Sequence, residues 1–138
     1  MTSPLLAMRA AILARLGGDA ALAALMGGVV RLYDEPPRAA LPVFALFGDG
    51  EARDDSVDGA RRHLHALALV VFGKPGSTRS ALDAAERIAA LLDEAGLTLA
   101  GHALVSLRVE SIAGHRDQSS GETRATVTLK AVTEAIAD

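Results

Sequence analysis

The sequence predicts an α+β domain: a mainly antiparallel sheet of about five strands packed against one long helix, with a further helix at the N-terminus. Two observations carry this. Long segments of alternating apolar residues follow one another in adjacent pairs, 41–47 with 61–72 and 103–112 with 122–132, with no helix inside either pair. A single long stretch, residues 78–95, shows the 3.6-residue apolar period of a surface helix. The order along the chain reads α-α-β-β-β-α-β-β, with no internal repeat, over one domain of residues 1–138.

Each element has its own punctuation. Ser3 can cap the first helix, Pro4 suits its first position, and Gly17-Gly18 ends it; Leu5, Met8, Ile12 and Leu16 form its apolar stripe, with Arg9 and Arg15 off it. Asp19 caps a short second run from Ala20 to Met26, stopped by Gly27-Gly28. Val29 to Tyr33 reads as a short strand closed by Asp34-Glu35-Pro36-Pro37. In the strand from Leu41 to Phe47, Val43, Ala45 and Phe47 point one way and Phe44 and Leu46 the other. Residues 48–61 are polar and acidic and read as a mobile loop. The strand Arg61 to Phe72 has two halves: Arg61, His63 and His65 alternate with apolar residues and suggest an end projecting into solvent or a partner, whereas Leu67 to Phe72 is continuously apolar. Ser77 or Thr78 caps the long helix, whose buried face reads Leu82, Ala85, Ile88 or Ala89, and Leu92. In Ala103 to Ile112, Val105, Leu107 and Val109 oppose Ser106, Arg108 and Glu110. In Glu122 to Val132, Val127, Leu129 and Ala131 oppose Arg124, Thr126, Thr128 and Lys130. Residues 114–122 join these two strands as a polar hairpin loop.

Composition excludes several classes of function. Half of the residues are hydrophobic, which is incompatible with intrinsic disorder. The absence of cysteine removes disulfide scaffolds, zinc ribbons and thiol nucleophiles. A net charge of −3 lacks the basic excess of a protein that grips DNA phosphates. Apolar runs are broken within about ten residues, short of the roughly 20 that a bilayer requires. The N-terminal stretch has Arg9 and Arg15 at helical spacing rather than the clustered charge of a signal peptide, so it reads as part of the fold of a cytoplasmically made chain.

Few residues suggest chemistry. His63-x-His65 on one strand face has a spacing that can hold a metal, but no cysteine or fixed acid accompanies it, and an exposed strand end is the simpler reading. His102 and His115 lie in polar connections. The acids Asp49, Glu51, Asp54, Asp55 and Asp58 lack the spacing of a calcium loop. They fit an electrostatic role, in which carboxylates repel passing DNA. Gly73-Lys74-Pro75-Gly76 has its lysine on the wrong side of the glycine for a phosphate loop, and no serine sits in a nucleophile elbow. Catalytic residues, cofactors and metals are therefore all expected to be absent.

Taken in order, several passages resemble the phage tail-terminator, or tail-completion, family. The Ala/Leu-rich opening LLAMRAAILARLGGDAALAALMGG leads into VVRLYDEPPRAALPVFALFG, then a polar Gly-containing loop, then HLHALALVVFGKPG. A helix and strand, ALDAAERIAALLDEAGLTLAGHALVSLRVE, precede a final strand with a Val-Thr doublet, TRATVTLKAVTEA. The likeness spans essentially the whole chain; it departs at Arg61, Arg62 and His63, where many members carry an aromatic residue. The resemblance, which includes gene-transfer-agent tail terminators, implies a structural virion protein, made in the bacterial cytoplasm, without catalytic residues. Such a protein forms a homo-oligomeric ring, typically hexameric, at the tail or head–tail junction. The ring caps the tail tube and ends its polymerisation, and a head connector or stopper protein docks on it. DNA passes through the lumen without specific binding, and no membrane is involved. On this view the acidic loop faces the lumen or a partner, and His115, Arg116 and Asp117 form an interface loop. Two alternatives stand beside it: a tail-tube or other connector-ring subunit, and a small metal- or ligand-binding α+β domain using His63 and His65.

Overall fold

The computed structural model describes residues 3–136; Met1, Thr2 and the last two positions of the domain read over 1–138 lie outside the described residues. Helix α1 (Pro4–Gly17) begins where the Ser3 hydroxyl accepts the Leu6 N–H at 3.3 Å, with Pro4 in the first turn. It buries Ala7, Met8, Ala11, Ile12 and Leu16, while Leu5 is only half-buried. Helix α2 (Ala20–Leu25) is capped by Asp19, whose carboxylate accepts the Leu22 N–H at 2.8 Å. Gly27 and Gly28, with φ of 91° and 115°, then reverse the chain in a region costly for other residues.

Among the described residues five strands follow: β1 (Leu32–Tyr33), β2 (Phe44–Asp54), β3 (Arg62–Phe72), β4 (His102–Arg116) and β5 (Thr123–Ala135), with helix α3 (Thr78–Leu92) between β3 and β4. The sheet order is β1-β2-β3-β5-β4; only β1 and β2 pair in parallel. This is the expected α+β architecture, with two long helices rather than one. Because β3 and β4 both run antiparallel to the intervening β5, they are parallel to each other, and α3 is a crossover that spans one strand.

Both long helices lie on one side of the sheet. Leu67, Leu69 and Val71 of β3, Ala125, Val127 and Leu129 of β5, and Leu107 of β4 point toward them and are buried. Alanines dominate the helical side of this contact: Ala81, Ala84 and Ala85 of α3 are fully buried beside Ile88 and Leu92. Short side chains let a helix lie close to a sheet, and the layer is filled by methyl groups rather than aromatic rings. Asp19 links the helices, accepting Arg87 Nε at 2.9 Å and Nη2 at 2.7 Å. These bonds, with the Leu22 N–H, hold its carboxyl down at about 2.

Several boundaries differ from the sequence reading. The strand expected from Val29 contracts to Leu32–Tyr33, and Val29 is exposed. Arg31 instead holds the following segment through Leu41 and Pro42 carbonyls at 3.2 and 3.0 Å, and the second strand starts at Phe44 rather than Leu41. That strand then continues through Asp54, so Asp49, Glu51 and Asp54 belong to a strand and not to a mobile loop. Pairing with β3 overrides low hydrophobicity: Glu51 lies opposite Ala66 and Arg53 opposite Leu64, beyond a register shift between Phe47 and Gly50. Strands β4 and β5 are likewise longer than read, reducing the expected 114–122 loop to a tight turn after Arg116. In β4, register shifts at 104/106 and 109/111 break the simple alternation and leave Val105 exposed, although it was expected on the inner face with Leu107.

At Gly73, between β3 and α3, a Cβ would sit 2.7 Å from both Ser80 Oγ and Thr123 Oγ1 and 2.9 Å from Ala81 Cβ. Gly73→Ala is therefore expected to lower unfolding free energy by about 1–3 kcal/mol, measured by urea denaturation. An unchanged midpoint would show that this junction is looser than described.

Candidate functional site

Among the described residues no arrangement of nucleophile, base and oxyanion donors stands out, and the candidate functional features are surfaces. The buried exception is a histidine group where the β3, β4 and β5 ends meet. His65 is 2% exposed, its Nε2 2.9 Å from Thr133 Oγ1, and burial together with the neighbouring His63 and His102 holds its pKa down at about 4. The rings of His63 and His102 meet edge-on at 6.3 Å. His65 thus faces the core with Leu67 and Leu69, correcting the expectation that this end of the strand projects outward. The inward phase of the apolar half simply continues through it. Among the described residues, no group of three or more His, Cys, Asp or Glu is placed to hold a metal ion.

The first surface is the outer side of α1 and α2. Leu6 is 65% exposed and Leu13 46%, with Ala10, Ala14 and Gly17 exposed around them and Leu25 and Val29 nearby in sequence. The charged residues of this segment are tied inward. Arg9 binds Asp34 at 3.1 Å and lies over the Phe47 ring, Arg15 donates to the Leu91 carbonyl at 3.1 Å, and Asp19 is held by Arg87. Arg15 stays exposed while making this bond, and the residues around Leu6 and Leu13 are otherwise apolar and small.

The second surface is the side of the sheet without helices. Its β2 and β3 edge carries stacked Phe44 and Phe72 rings, 5.0 Å apart, with Tyr33 beside Phe44. Toward the other end, β2, β3, β5 and β4 together form a trough of about 280 Å³ with Leu64, Ala66 and Val132 on its floor and Arg53, Arg108 and Lys130 around it. The sequence contained the signal for this surface, since Arg108 and Lys130 occupy the polar phase of two strands. Their convergence depends on the pairing of Arg108 with Lys130 across β4 and β5.

The predicted site residues fall at two opposite ends of the sheet. Asp55 and Asp58 lie in the connection from β2 to β3, closed by the Val57–Ala60 bridge. Asp54, at the end of β2, accepts the Ser56 N–H at 2.9 Å and the Ser56 hydroxyl, and these bonds lower its pKa. Glu51 pairs with Arg53 at 3.6 Å. Asp49 occupies the irregular stretch of β2. At the other end, His115 and Arg116 are strand residues of β4, and only Asp117 belongs to the turn. Its carboxylate accepts the Ser119 hydroxyl at 2.7 Å and the N–H groups of Ser119 and Ser120, which lowers its pKa. Asp117 thereby fixes the turn from within.

Comparison with known proteins adds a family and a fold. The family model described as "Tail completion protein gp17" matches residues 10–134. No curated protein matches the chain. Among solved structures, a chain of "Virion of native gene transfer agent (GTA) particle" superimposes with a TM-score of 0.86 at 24% sequence identity, covering 98% of this chain and 100% of that one. At that identity the likeness is one of fold. No helix among the described residues is long and apolar enough to cross a membrane.

Proposed function

Since the chain belongs to the Tail completion protein gp17 family, a set of structural proteins of phage-like particles, we propose that it forms a homo-oligomeric ring on the end of the tail tube. The ring stops tube growth, offers the surface on which the head's connector or stopper docks, and lets DNA through its lumen. Its location is the virion tail. The observation that carries the reading is the family match across residues 10–134.

The surfaces supply a physical rationale. A monomer has little reason to keep Leu6, Leu13, Leu25 and Val29 exposed on a segment whose charges are already engaged within the chain. Contact with a neighbouring subunit would remove that area from water at roughly 25 cal/mol per Å². A contact between unlike patches propagates around an axis, and a closed ring ends the propagation where an open helix would not. The net charge of −3 suits a passage through which DNA slides without sticking.

Electron microscopy of the purified chain, alone and with polymerising tail-tube protein, tests this. Single rings and tubes of arrested length are expected; tubes built of this chain itself would make it a tube subunit instead. The double variant L6E/L13E is expected to keep a native circular-dichroism spectrum while its subunit association weakens at least about ten-fold by sedimentation. Undiminished association would remove the α1 face from the interface.

A further inference from the structure

We infer that the trough on the open sheet face receives the β2–β3 tip of a second copy of this chain, an inference that rests on the ring reading above. The trough joins an apolar floor, Leu64, Ala66 and Val132, to the cations Arg53, Arg108 and Lys130. Two of these cations already have carboxylate neighbours: Glu51 lies 3.6 Å from Arg53, and Glu110 3.1 Å from Lys130. Arg108 is exposed and has no ion-pair partner among the described residues. Arg108 is thus the cation left to pair, and the site suits a small apolar side chain with a carboxylate beside it.

The tip offers that combination. Val57 is 54% exposed between the exposed Asp55 and Asp58. It is presented on a closed turn, with Val57 N–H to Ala60 O at 3.1 Å and Ala60 N–H to Val57 O at 2.9 Å. Such a preformed turn gives up little conformational entropy on docking. The Asp55 N–H to Arg62 O bond, 2.9 Å, carries the β2–β3 ladder into the tip, and none of residues 55–61 lines the trough of its own chain. Its receptor must then be another molecule. Tip and trough are different patches, so a chain can pass its tip to one neighbour and receive the tip of another, a head-to-tail contact of the kind that builds a ring.

The chain has no cysteine, which allows a direct test. Val57→Cys and Ser106→Cys place one thiol on the tip and one at the trough. Under oxidised glutathione, an equimolar mixture of the two variants is expected to give disulfide-linked dimers, and each variant alone to give few. Charge reversal supplies a second readout: Arg108→Glu and Asp58→Lys should each weaken self-association about ten-fold or more. An equimolar mixture of these two variants should recover it, because each trough then meets a tip of opposite charge. Circular dichroism and thermal melts establish that all variants fold. Rings that form without Val57→Cys/Ser106→Cys cross-linking, single reversals that associate like the parent, or a mixture that fails to recover would each overturn the contact while leaving the ring intact. A chain that stays monomeric at all concentrations overturns both.

Discussion

Replacement of Leu129 by Ala is expected to lower the unfolding free energy by about 3 kcal/mol, within a range of about 2–5 kcal/mol. Leu129 is fully buried on β5, opposite Leu67 of β3 and Val109 of β4, and β5 is the strand that both neighbours share. The buried face of α3 is rich in short side chains, Ala81, Ala84, Ala85 and Ala89 beside Ile88 and Leu92, and alanine methyl groups cannot swing into a vacated space. The cavity should therefore persist rather than collapse, placing the loss in the middle of the range or above. For a domain of this size the melting temperature should fall by roughly 10 °C, measurable by calorimetry. A fall under about 2 °C would show that the core relaxes around the deletion.

The second large effect is expected from pH. His65 has its folded-state pKa depressed to about 4 from an unfolded value of 6.5, first through burial and then through His63 and His102. Between those values the unfolded chain binds the proton and the folded chain does not, so acid favours unfolding. The full contribution is present above about pH 6.5 and is lost as pH falls toward 4, a loss of about 3 kcal/mol. Urea midpoints taken from pH 7 to 4 should decline steadily. His65→Gln, which keeps a polar partner for Thr133 without a titrating ring, should flatten that decline at some cost in stability at pH 7. A variant whose midpoints fall as steeply as the parent's would assign the acid sensitivity elsewhere.

Much of the fold is legible locally. Ser3, Asp19 and Ser77 each accept an N–H at the start of a helix, as their places before apolar runs imply. The period of residues 78–92 places Ala85, Ile88 and Leu92 inward, as read. Leu82 is the exception: it is only half-buried, and its methyls lie 3.4 Å from where a Cβ on Gly114 would be. What local reading missed was pairing over long range. Nothing within residues 48–54 favours a strand; Leu64, His65 and Ala66 opposite them do. The outward assignment of His63 and His65 failed similarly, because a polar side chain suggests solvent until its partner, here Thr133, is seen 68 residues away.

By itself, then, the sequence determined the class of fold, the caps and apolar stripes of the helices, the inner phase of β3 and β5 from Leu67 and Val127 onward, and the absence of thiol chemistry. These depend on near neighbours and composition, whose preferences act within a few residues. Only the tertiary structure decided that β5 inserts between β3 and β4, that His65 is core, and that Arg53, Arg108 and Lys130 surround one trough. Those outcomes come from strands that meet across tens of residues. Backbone hydrogen bonds and shared burial there outweigh the local preference of any single segment.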